Sequence, residues 1–225
     1  TETSPVVTVN DMRDGGFRIG SVGKALPDTE VKIADDGEIL IKGPQVMQGY
    51  YKDPEQTAEV LKNGYFHTGD IGEIDSDGFL KITDRKKSMF KTSGGKYVAP
   101  QLIENAMKQS SFIEQILVVG DGEKMPAALI QPNWEWINQW STIKGHNISK
   151  DTAVASQDQK LIDRIQEEIN FHNEGFGSWE KVKTFQLTPD VWSIDAGHLT
   201  PTMKSKRKVI KEMYKDLYEK LYGRS

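Results

Sequence analysis

The segment from Asp84 to Pro100 holds many of the residues that could do chemistry. Its sequence, DRKKSMFKTSGGKYVAP, places one acidic residue before three basic ones, then an apolar pair, a Ser-Gly-Gly turn and a proline able to open a helix. The basic residues suit a phosphate-rich ligand, and the glycines let a ligand approach the backbone closely. We interpret the segment as a joint between two lobes.

A second candidate is Asp70, which ends the sequence YFHTGD. A carboxylate held on a Gly-bearing bend before a strand can accept two hydrogen bonds from a vicinal diol such as ribose. The alternative is an aspartate that only caps a turn, and spacing alone favours this alternative.

Two lysine-bearing segments are less specific. Gly20 to Lys24 resembles a phosphate loop, but Arg18 stands where the first glycine of that motif belongs, so we expect a turn. The segment from His198 to Lys208, HLTPTMKSKRK, places several cations before a helix, where they are electrostatically unfavourable. It is either a solvated basic face or a loop whose lysine extends into a neighbouring lobe.

Short strands separated by Gly, Asp and Pro clusters dominate the first part of the chain. These predicted strands are residues 6–9, 30–33, 38–42, 71–74 and 79–83. Hairpin turns are expected at Asp35-Asp36-Gly37 and at residues 75–78, and a helix is expected from Asp53 to about Leu61. The pattern predicts a small twisted sheet or barrel.

Helical spacing becomes prominent after the joint. We expect helices over residues 100–110, from Trp134 to about Ile143, and over 159–173 and 205–222, with strands over 116–120, 127–131 and 182–187. Residues 141–157 are predicted to be a loop, and the tryptophans from Trp134 onward are expected to pack in a core. The fold class is α+β: a small β-rich barrel-like subdomain, then a mixed α/β lobe with an antiparallel or mixed sheet flanked by helices.

Composition excludes several classes of function. The 225 residues carry a net charge of -4, with 28% charged and 36% hydrophobic residues and no cysteine. This argues against general affinity for nucleic acid and against thiol catalysis, disulfides or a thiolate metal site. No apolar run approaches a membrane span. We expect a soluble cytoplasmic protein with at most peripheral membrane contact and no metal ligands of its own.

Three segments in one order carry a resemblance that covers essentially the whole chain. They are GEILIKGPQVMQGYYKDPEQT, then GYFHTGD with DRKKSMFKTSGGKYVAPQLIE, then LTPTMKSKRK. The chain resembles the C-terminal portion of the adenylate-forming (AMP-binding) superfamily. The form TSGGKYVAP and the insertion over residues 134–176 resemble the long-chain fatty acid CoA ligase branch.

This resemblance implies a two-step reaction. A fatty carboxylate attacks ATP to give an acyl-adenylate and pyrophosphate, and coenzyme A then displaces AMP. The implied ligands are the fatty acid, ATP or AMP, Mg²⁺ and coenzyme A. The resemblance also implies a division into residues 1–86, from the end of a large domain, and residues 87–225, a mobile lid.

Site residues are implied by the same matches. Asp70 corresponds to the residue that binds the ribose hydroxyls, Arg85 to a basic residue near ribose and phosphate, and Lys87 to the hinge. Gly94 corresponds to a glycine beside the pantetheine arm, but the pair Gly94-Gly95 is one residue longer than in many relatives. Either glycine could line the channel.

The adenylation lysine corresponds to Lys206, which would bridge carboxylate and phosphate. Lys204 is a second candidate, because the usual small-residue pair before this lysine is replaced here by Lys204-Ser205. The phosphate loop, adenine site and acyl pocket of the family match nothing in this chain, so we expect the missing N-terminal part to be its partner and the chain alone to be inactive. The alternatives are another acyl or aryl acid ligase and a non-catalytic nucleotide-binding module.

Overall fold

The computed structural model describes residues 1–13, 15–86 and 88–224. The chain folds as two units, Thr1–Met89 and Phe90–Ser225. Lys87, the predicted hinge, lies outside the described residues. Each unit has its own buried apolar core.

The first unit is built from short strands and one helix. Its elements are β1 Thr8–Val9, β2 Lys24–Ala25, β3 Glu30–Ile33, β4 Glu38–Lys42, α1 Pro54–Val60, β5 Leu61–Lys62, β6 Tyr65–Ile74 and β7 Leu80–Arg85. Antiparallel pairing gives the order β3-β4-β6-β5, with β7 also on β6, while β1 and β2 form a separate ribbon. In the described part of the chain the predicted barrel-like subdomain is thus an open sheet.

Local turn chemistry fixes the two main hairpins of this sheet. Gly37 (φ +84°) closes the turn between β3 and β4, and Gly78 (φ +85°) closes the turn between β6 and β7. The Asp75 carboxylate accepts the amides of Asp77 and Phe79, a common way for aspartate to stabilise a turn. Both predicted hairpins are confirmed.

The second unit begins with a small hairpin and continues as a mixed sheet between helices. Its elements are β8 Phe90–Lys91, β9 Tyr97–Val98, α2 Pro100–Met107, β10 Ile113–Val119, β11 Ala127–Pro132, α3 Trp134–Lys144, α4 Thr152–Ala155, α5 Gln159–Asn173, β12 Thr184–Leu187, α6 Arg207–Met213 and α7 Lys215–Leu221. In the order β10-β11-β12, the first pair is antiparallel and the second parallel. The predicted α+β class is confirmed.

Both faces of this sheet are buried because residues alternate along each strand. Ile116 and Val118 of β10 belong to the core under α2, α3 and α5, whereas Leu117 and Val119 belong to the core under α6 and α7. Trp134 and Trp140 pack against the first of these cores, so the interpretation of the tryptophans as packing residues is confirmed for these two.

Two predictions about helices were incomplete. The predicted loop over residues 141–157 contains the short helix α4, started by Asp151, whose carboxylate accepts the amide of Ala153. The predicted last helix is interrupted at Tyr214 (φ -108°, ψ 37°), which separates α6 from α7. Tyr214 is buried, and its hydroxyl donates to Asp190 at 3.0 Å, a contact that periodicity cannot reveal.

None of the helices among the described residues has the length and apolarity needed to cross a membrane.

Candidate functional site

Asp70 and Arg85 form an ion pair at one end of the first unit. They are cross-strand partners on β6 and β7, and Nε of Arg85 lies 2.8 Å from Oδ1 of Asp70. The Arg85 side chain is 57% exposed and the Asp70 side chain 25%, so a ligand can reach both. The structure therefore brings together two residues that the sequence analysis proposed separately.

The pair lines an open depression of about 1300 Å³ in the first unit. Glu38, His67 and Lys86 line the same depression. Spacing alone favours Asp70 as a turn cap, but the structure places it within β6, with its carboxylate facing Arg85. The Asp70 carboxylate is 25% exposed in the depression, so hydroxyl groups of a ligand can approach it.

A local irregularity of β6 sets the position of Asp70. Gly69 has φ +70°, a region that favours glycine, and the pairing of β4 with β6 shifts register here. Thr68 Oγ1 donates to the Ile39 carbonyl at 2.8 Å and accepts the Asp70 amide at 3.0 Å. Side-chain hydrogen bonds thus replace ladder hydrogen bonds at the bulge.

Sequence reasoning missed Glu38, the buried residue that completes this end of the unit. Its Oε1 accepts the Gly69 amide at 2.9 Å, and its Oε2 accepts Lys86 Nζ at 2.9 Å and lies 3.1 Å from Nδ1 of His67. Burial acts to raise the pKa of Glu38, but these hydrogen bonds outweigh it and the pKa is lowered. Glu38 is therefore an ionised, fully engaged carboxylate.

Gly94 and Gly95 lie in the turn of the β8–β9 hairpin. Gly95 has φ +79°, and its amide donates to the Thr92 carbonyl at 2.9 Å. Gly94 does not adopt a positive φ, and a Cβ there would meet nothing closer than Thr92 Oγ1 at 4.0 Å. The turn itself requires a glycine only at position 95.

Lys206 lies where the loop after His198 enters α6. Its amide donates to the His198 carbonyl at 2.8 Å, while its side chain is exposed and forms no ion pair with any described residue. Lys204 is also exposed, and its amide donates to Thr200 Oγ1 at 3.0 Å. Both backbones are fixed and both side chains reach solvent, so the choice between the two lysines stays a prediction.

A buried polar group anchors the start of this loop. Nε2 of His198 lies 3.1 Å from the hydroxyl of Tyr214, which donates to Asp190. Burial lowers the pKa of His198, so the ring is neutral at pH 7. The imidazole therefore acts as a fixed hydrogen-bonding group at the start of the loop that carries Lys206.

Arg207 holds the other end of the loop, immediately after Lys206. Its Nη1 lies 2.6 Å from Oε1 of Glu104, a side chain that is 12% exposed, and its Nη2 donates to the Val118 carbonyl. Glu104 also accepts the Val118 amide at 2.8 Å. Burial raises the pKa of Glu104, and Arg207 opposes this rise without reversing it.

Two other sequence features have plain outcomes. Gly20 (φ +83°) lies in a turn before β2, so the expected turn is present. Over the described ranges, no three His, Asp or Glu side chains are grouped closely enough to hold a metal ion.

Comparison with known families decides the assignment. The family model described as AMP-binding enzyme matches residues 1–51, and the one described as AMP-binding enzyme C-terminal domain matches residues 88–225. The chain belongs to the AMP-binding enzyme family. The family inferred from the three sequence segments is therefore confirmed.

Curated relatives agree with the branch that the sequence resembles. The chain is 37% identical over 224 residues to the long-chain-fatty-acid–CoA ligase FadD15 of Mycobacterium bovis, covering 100% of this chain and 37% of that protein. It is 36% identical over 223 residues to human long-chain-fatty-acid–CoA ligase 1, covering 93% and 32%. The chain thus spans about a third of the length of these relatives.

Two solved structures of similar fold contain the adenylation domains of carboxylic acid reductases. The adenylation domain of a carboxylate reductase from Mycobacterium chelonae matches with a TM-score of 0.72 at 25% identity, over 91% of this chain and 34% of that one. A carboxylic acid reductase didomain from Segniliparus rugosus, in complex with AMP, matches with a TM-score of 0.69 at 25% identity, over 92% and 30%.

Proposed function

We propose that this chain is the part of a long-chain fatty acid CoA ligase that holds the AMP ribose, supplies the adenylation lysine and borders the pantetheine arm. In the first step a carboxylate oxygen attacks the α-phosphorus of ATP, and the bond to pyrophosphate breaks. In the second, the coenzyme A thiol loses its proton and attacks the acyl carbon, and AMP departs. Mg²⁺ enters with ATP as part of the substrate.

The observation that carries this proposal is the Asp70–Arg85 pair in its open depression. The Asp70 carboxylate is 25% exposed in this depression, and a carboxylate is the acceptor group that the two ribose hydroxyls require. The Arg85 side chain is 57% exposed, so its guanidinium is accessible to a phosphate, for which it is well suited. One pair can therefore hold both the sugar and the phosphate of AMP.

Lys206 has the properties required of a cation that acts in one step only. Negative charge develops on the phosphate oxygens during adenylation, and a lysine ammonium placed there stabilises it. The Lys206 backbone is bound to His198, while its long side chain is exposed and extends from a fixed point. Residues 87–225 are proposed to be the lid that moves between the steps, with Lys87 as hinge.

The glycine turn supports a role in the second step. Neither backbone geometry nor space in the described structure requires a glycine at Gly94, whereas Gly95 is required by its positive φ. Because the turn does not explain why position 94 is a glycine, we attribute this glycine to the close passage of a ligand, such as the pantetheine arm. We therefore assign the channel to Gly94.

Two alternatives remain within reach of experiment. The chain could belong to an adenylating enzyme that activates another acid, since two of the solved structures of similar fold are carboxylic acid reductase adenylation domains. It could also bind nucleotide without chemistry. The higher identity to long-chain-fatty-acid–CoA ligases favours the ligase.

The test is a chimera in which this chain replaces the matching segment of Mycobacterium bovis FadD15, compared with the parent enzyme and with this chain alone. Fatty-acid-dependent pyrophosphate exchange measures adenylation, and thioester formation from supplied acyl-AMP and coenzyme A measures the second step. We expect the chimera to perform both and the chain alone to perform neither. Lys206→Ala should lower adenylation about 100-fold or more, as loss of one transition-state donor does.

Lys204→Ala is the matched control, because that lysine is also exposed and lies two residues away. It should leave both steps nearly unchanged, and Lys206→Ala should spare thioester formation. Equal loss of both steps in Lys206→Ala would overturn its assignment. A folded chimera that binds AMP but catalyses neither step would favour the non-catalytic alternative.

A further inference from the structure

Glu38 is a buried carboxylate that contacts the strand carrying Asp70 and the residue that follows the strand carrying Arg85. Its side chain is only 7% exposed. Oε1 accepts the amide of Gly69, the residue before Asp70, at 2.9 Å. Oε2 accepts Nζ of Lys86, the residue after Arg85, at 2.9 Å. One side chain therefore holds the immediate neighbour of each member of the pair.

The bulge in β6 explains why such a contact is needed. Between two paired positions, β4 contributes only Ile39 whereas β6 contributes residues 68–70. Extra residues in a bulge lose their ladder partners, and a buried amide without a partner is costly. The Gly69 amide is satisfied by Glu38, and the Ile39 carbonyl is satisfied by Thr68.

Lys86, the residue after β7, completes this arrangement around Gly69. Its amide donates to the Gly69 carbonyl at 2.8 Å, so both sides of Gly69 are bound: its amide by Glu38 and its carbonyl by Lys86. Nζ of Lys86 also lies 2.6 Å from Asp36. The groups facing Glu38 are thus two cationic or protonatable side chains, Lys86 and His67, and one amide.

We propose that Glu38 is a positioning residue for the Asp70–Arg85 pair, fixing the bulge of β6 against the end of β7 so that the carboxylate faces the guanidinium. The proposal concerns geometry within the first unit. Its consequence for nucleotide binding rests on the proposed function, because only there is the pair assigned to ribose and phosphate.

The direct test uses nuclear magnetic resonance of the full 225-residue chain. In Glu38→Gln we expect loss of the protected Arg85 Nε–H signal and an upfield shift of the Gly69 amide, because a neutral acceptor binds the amide and the lysine less strongly. Lys86→Met should produce the same loss at Arg85. If Glu38→Gln and Lys86→Met both lose the Arg85 Nε–H signal, the loss comes from the contact that they share and not from a side effect of one substitution.

Glu73→Gln is the matched control. Glu73 lies on the same strand and forms a surface ion pair with Lys81 of β7 at 3.4 Å, far enough along the ladder to leave the bulge intact. Its Arg85 and Gly69 signals should be those of the wild type. An unchanged Arg85 Nε–H signal in folded Glu38→Gln would overturn the proposal.

A second readout separates this inference from the proposed function. In the FadD15 chimera, Glu38→Gln should raise KM for ATP about tenfold, the effect of weakening one hydrogen bond to a charged group, with KM for the fatty acid unchanged. If Glu38 acts through Asp70, the double variant with Asp70→Asn should be no worse than Asp70→Asn alone. Loss of the Arg85 signal without a change in KM would support the positioning role and contradict the ribose assignment.

Discussion

Each unit places a buried glutamate beside a candidate functional residue, but the two units use it differently. In the first unit, Glu38 holds the neighbours of Asp70 and Arg85, and that pair is itself joined at 2.8 Å. In the second unit, Glu104 holds Arg207, and the adjacent Lys206 forms no ion pair with the described residues. The first unit thus holds its candidate residues in place. The second unit holds Arg207, the residue that follows the candidate Lys206, and leaves the Lys206 side chain exposed.

This difference fits the two kinds of work proposed for them. A group that binds ribose in both half-reactions binds it more tightly if its position is fixed. The side chain is then already ordered in the folded protein and loses little conformational entropy when the ligand binds. A lysine needed in one step gains from a fixed backbone and a movable ammonium. Gly94 and Gly95 repeat the pattern, since the turn requires a glycine only at Gly95.

Electrostatics separates the two glutamates further. The pKa of Glu38 is lowered because hydrogen bonds from Lys86, His67 and the Gly69 amide outweigh burial. The pKa of Glu104 is raised because burial outweighs its pairing with Arg207. Glu38 is thus stabilised as an anion by the fold, while the cation Arg207 and the Val118 amide offset the burial of Glu104 only in part.

The largest expected effect comes from removing that cation. Arg207→Met should destabilise the second unit by about 3–5 kcal/mol, the usual cost of leaving a buried charge without its partner. Tryptophan fluorescence during denaturant unfolding measures this selectively, because all five tryptophans lie beyond residue 133, within the second unit.

Lys206→Met provides the comparison at the adjacent position. Because the Lys206 side chain is exposed, its replacement should change unfolding of the second unit by less than about 0.5 kcal/mol. If both variants lowered the free energy of unfolding by similar amounts, Lys206 would also stabilise the second unit. The proposed difference between the two units would then be wrong.

A smaller loss is expected in the first unit. Glu38→Ala should cost about 1–3 kcal/mol, since it leaves the partly buried Gly69 amide without its acceptor while Lys86, 45% exposed, can still be hydrated. Hydrogen exchange of the β6 and β7 amides gives this free energy without contribution from the second unit. Unaltered exchange at Gly69 would show that the bulge is stable without Glu38.

The sequence predicted elements better than it predicted these contacts. The helix over residues 159–173 and the strand over 38–42 match α5 and β4 because both depend on local periodicity. Glu38 lies 31 residues from Gly69 and 48 from Lys86, and Glu104 lies 103 from Arg207. Nothing in a strand or helix pattern distinguishes a buried glutamate from a solvated one.

The candidate site shows the same limit. Motif matches proposed Asp70 and Arg85 individually, but their pairing arises from the register of β6 with β7. Spacing favoured a turn at Asp70 because a glycine precedes it, whereas the chain passes through Gly69 as a bulge within one long strand. Tertiary pairing overrides a local turn signal when neighbouring strands supply the hydrogen bonds.

The turn with Gly94 and Gly95 tests the same contrast, in which the candidate functional residue is not needed for stability and its neighbour is. Gly95→Ala should destabilise the second unit by about 1–2 kcal/mol because an L-residue is strained at φ +79°. Gly94→Ala should be close to neutral in the same fluorescence measurement. In the chimera, Gly94→Ala should nevertheless slow thioester formation more than adenylation; full activity in both steps would remove Gly94 from the channel.

The smallest expected effect is a difference in pH dependence, and its sign separates the two glutamates. Because the folded pKa of Glu38 is below the ordinary 4.5, its contribution to stability is present above pH 4.5 and is lost as pH falls through the folded value. Because the folded pKa of Glu104 is above 4.5, its contribution is present below pH 4.5 and is lost as pH rises through the folded value.

Glutamine variants measure these contributions by removing the titration. Relative to wild type, Glu104→Gln should therefore gain stability in the second unit as pH rises above 4.5, as followed by tryptophan fluorescence. Glu38→Gln should approach wild-type protection of β6 as pH falls below 4.5, as followed by hydrogen exchange. The same sign at both sites would mean that burial, and not the number of donors around each carboxylate, determines how the two units hold their glutamates.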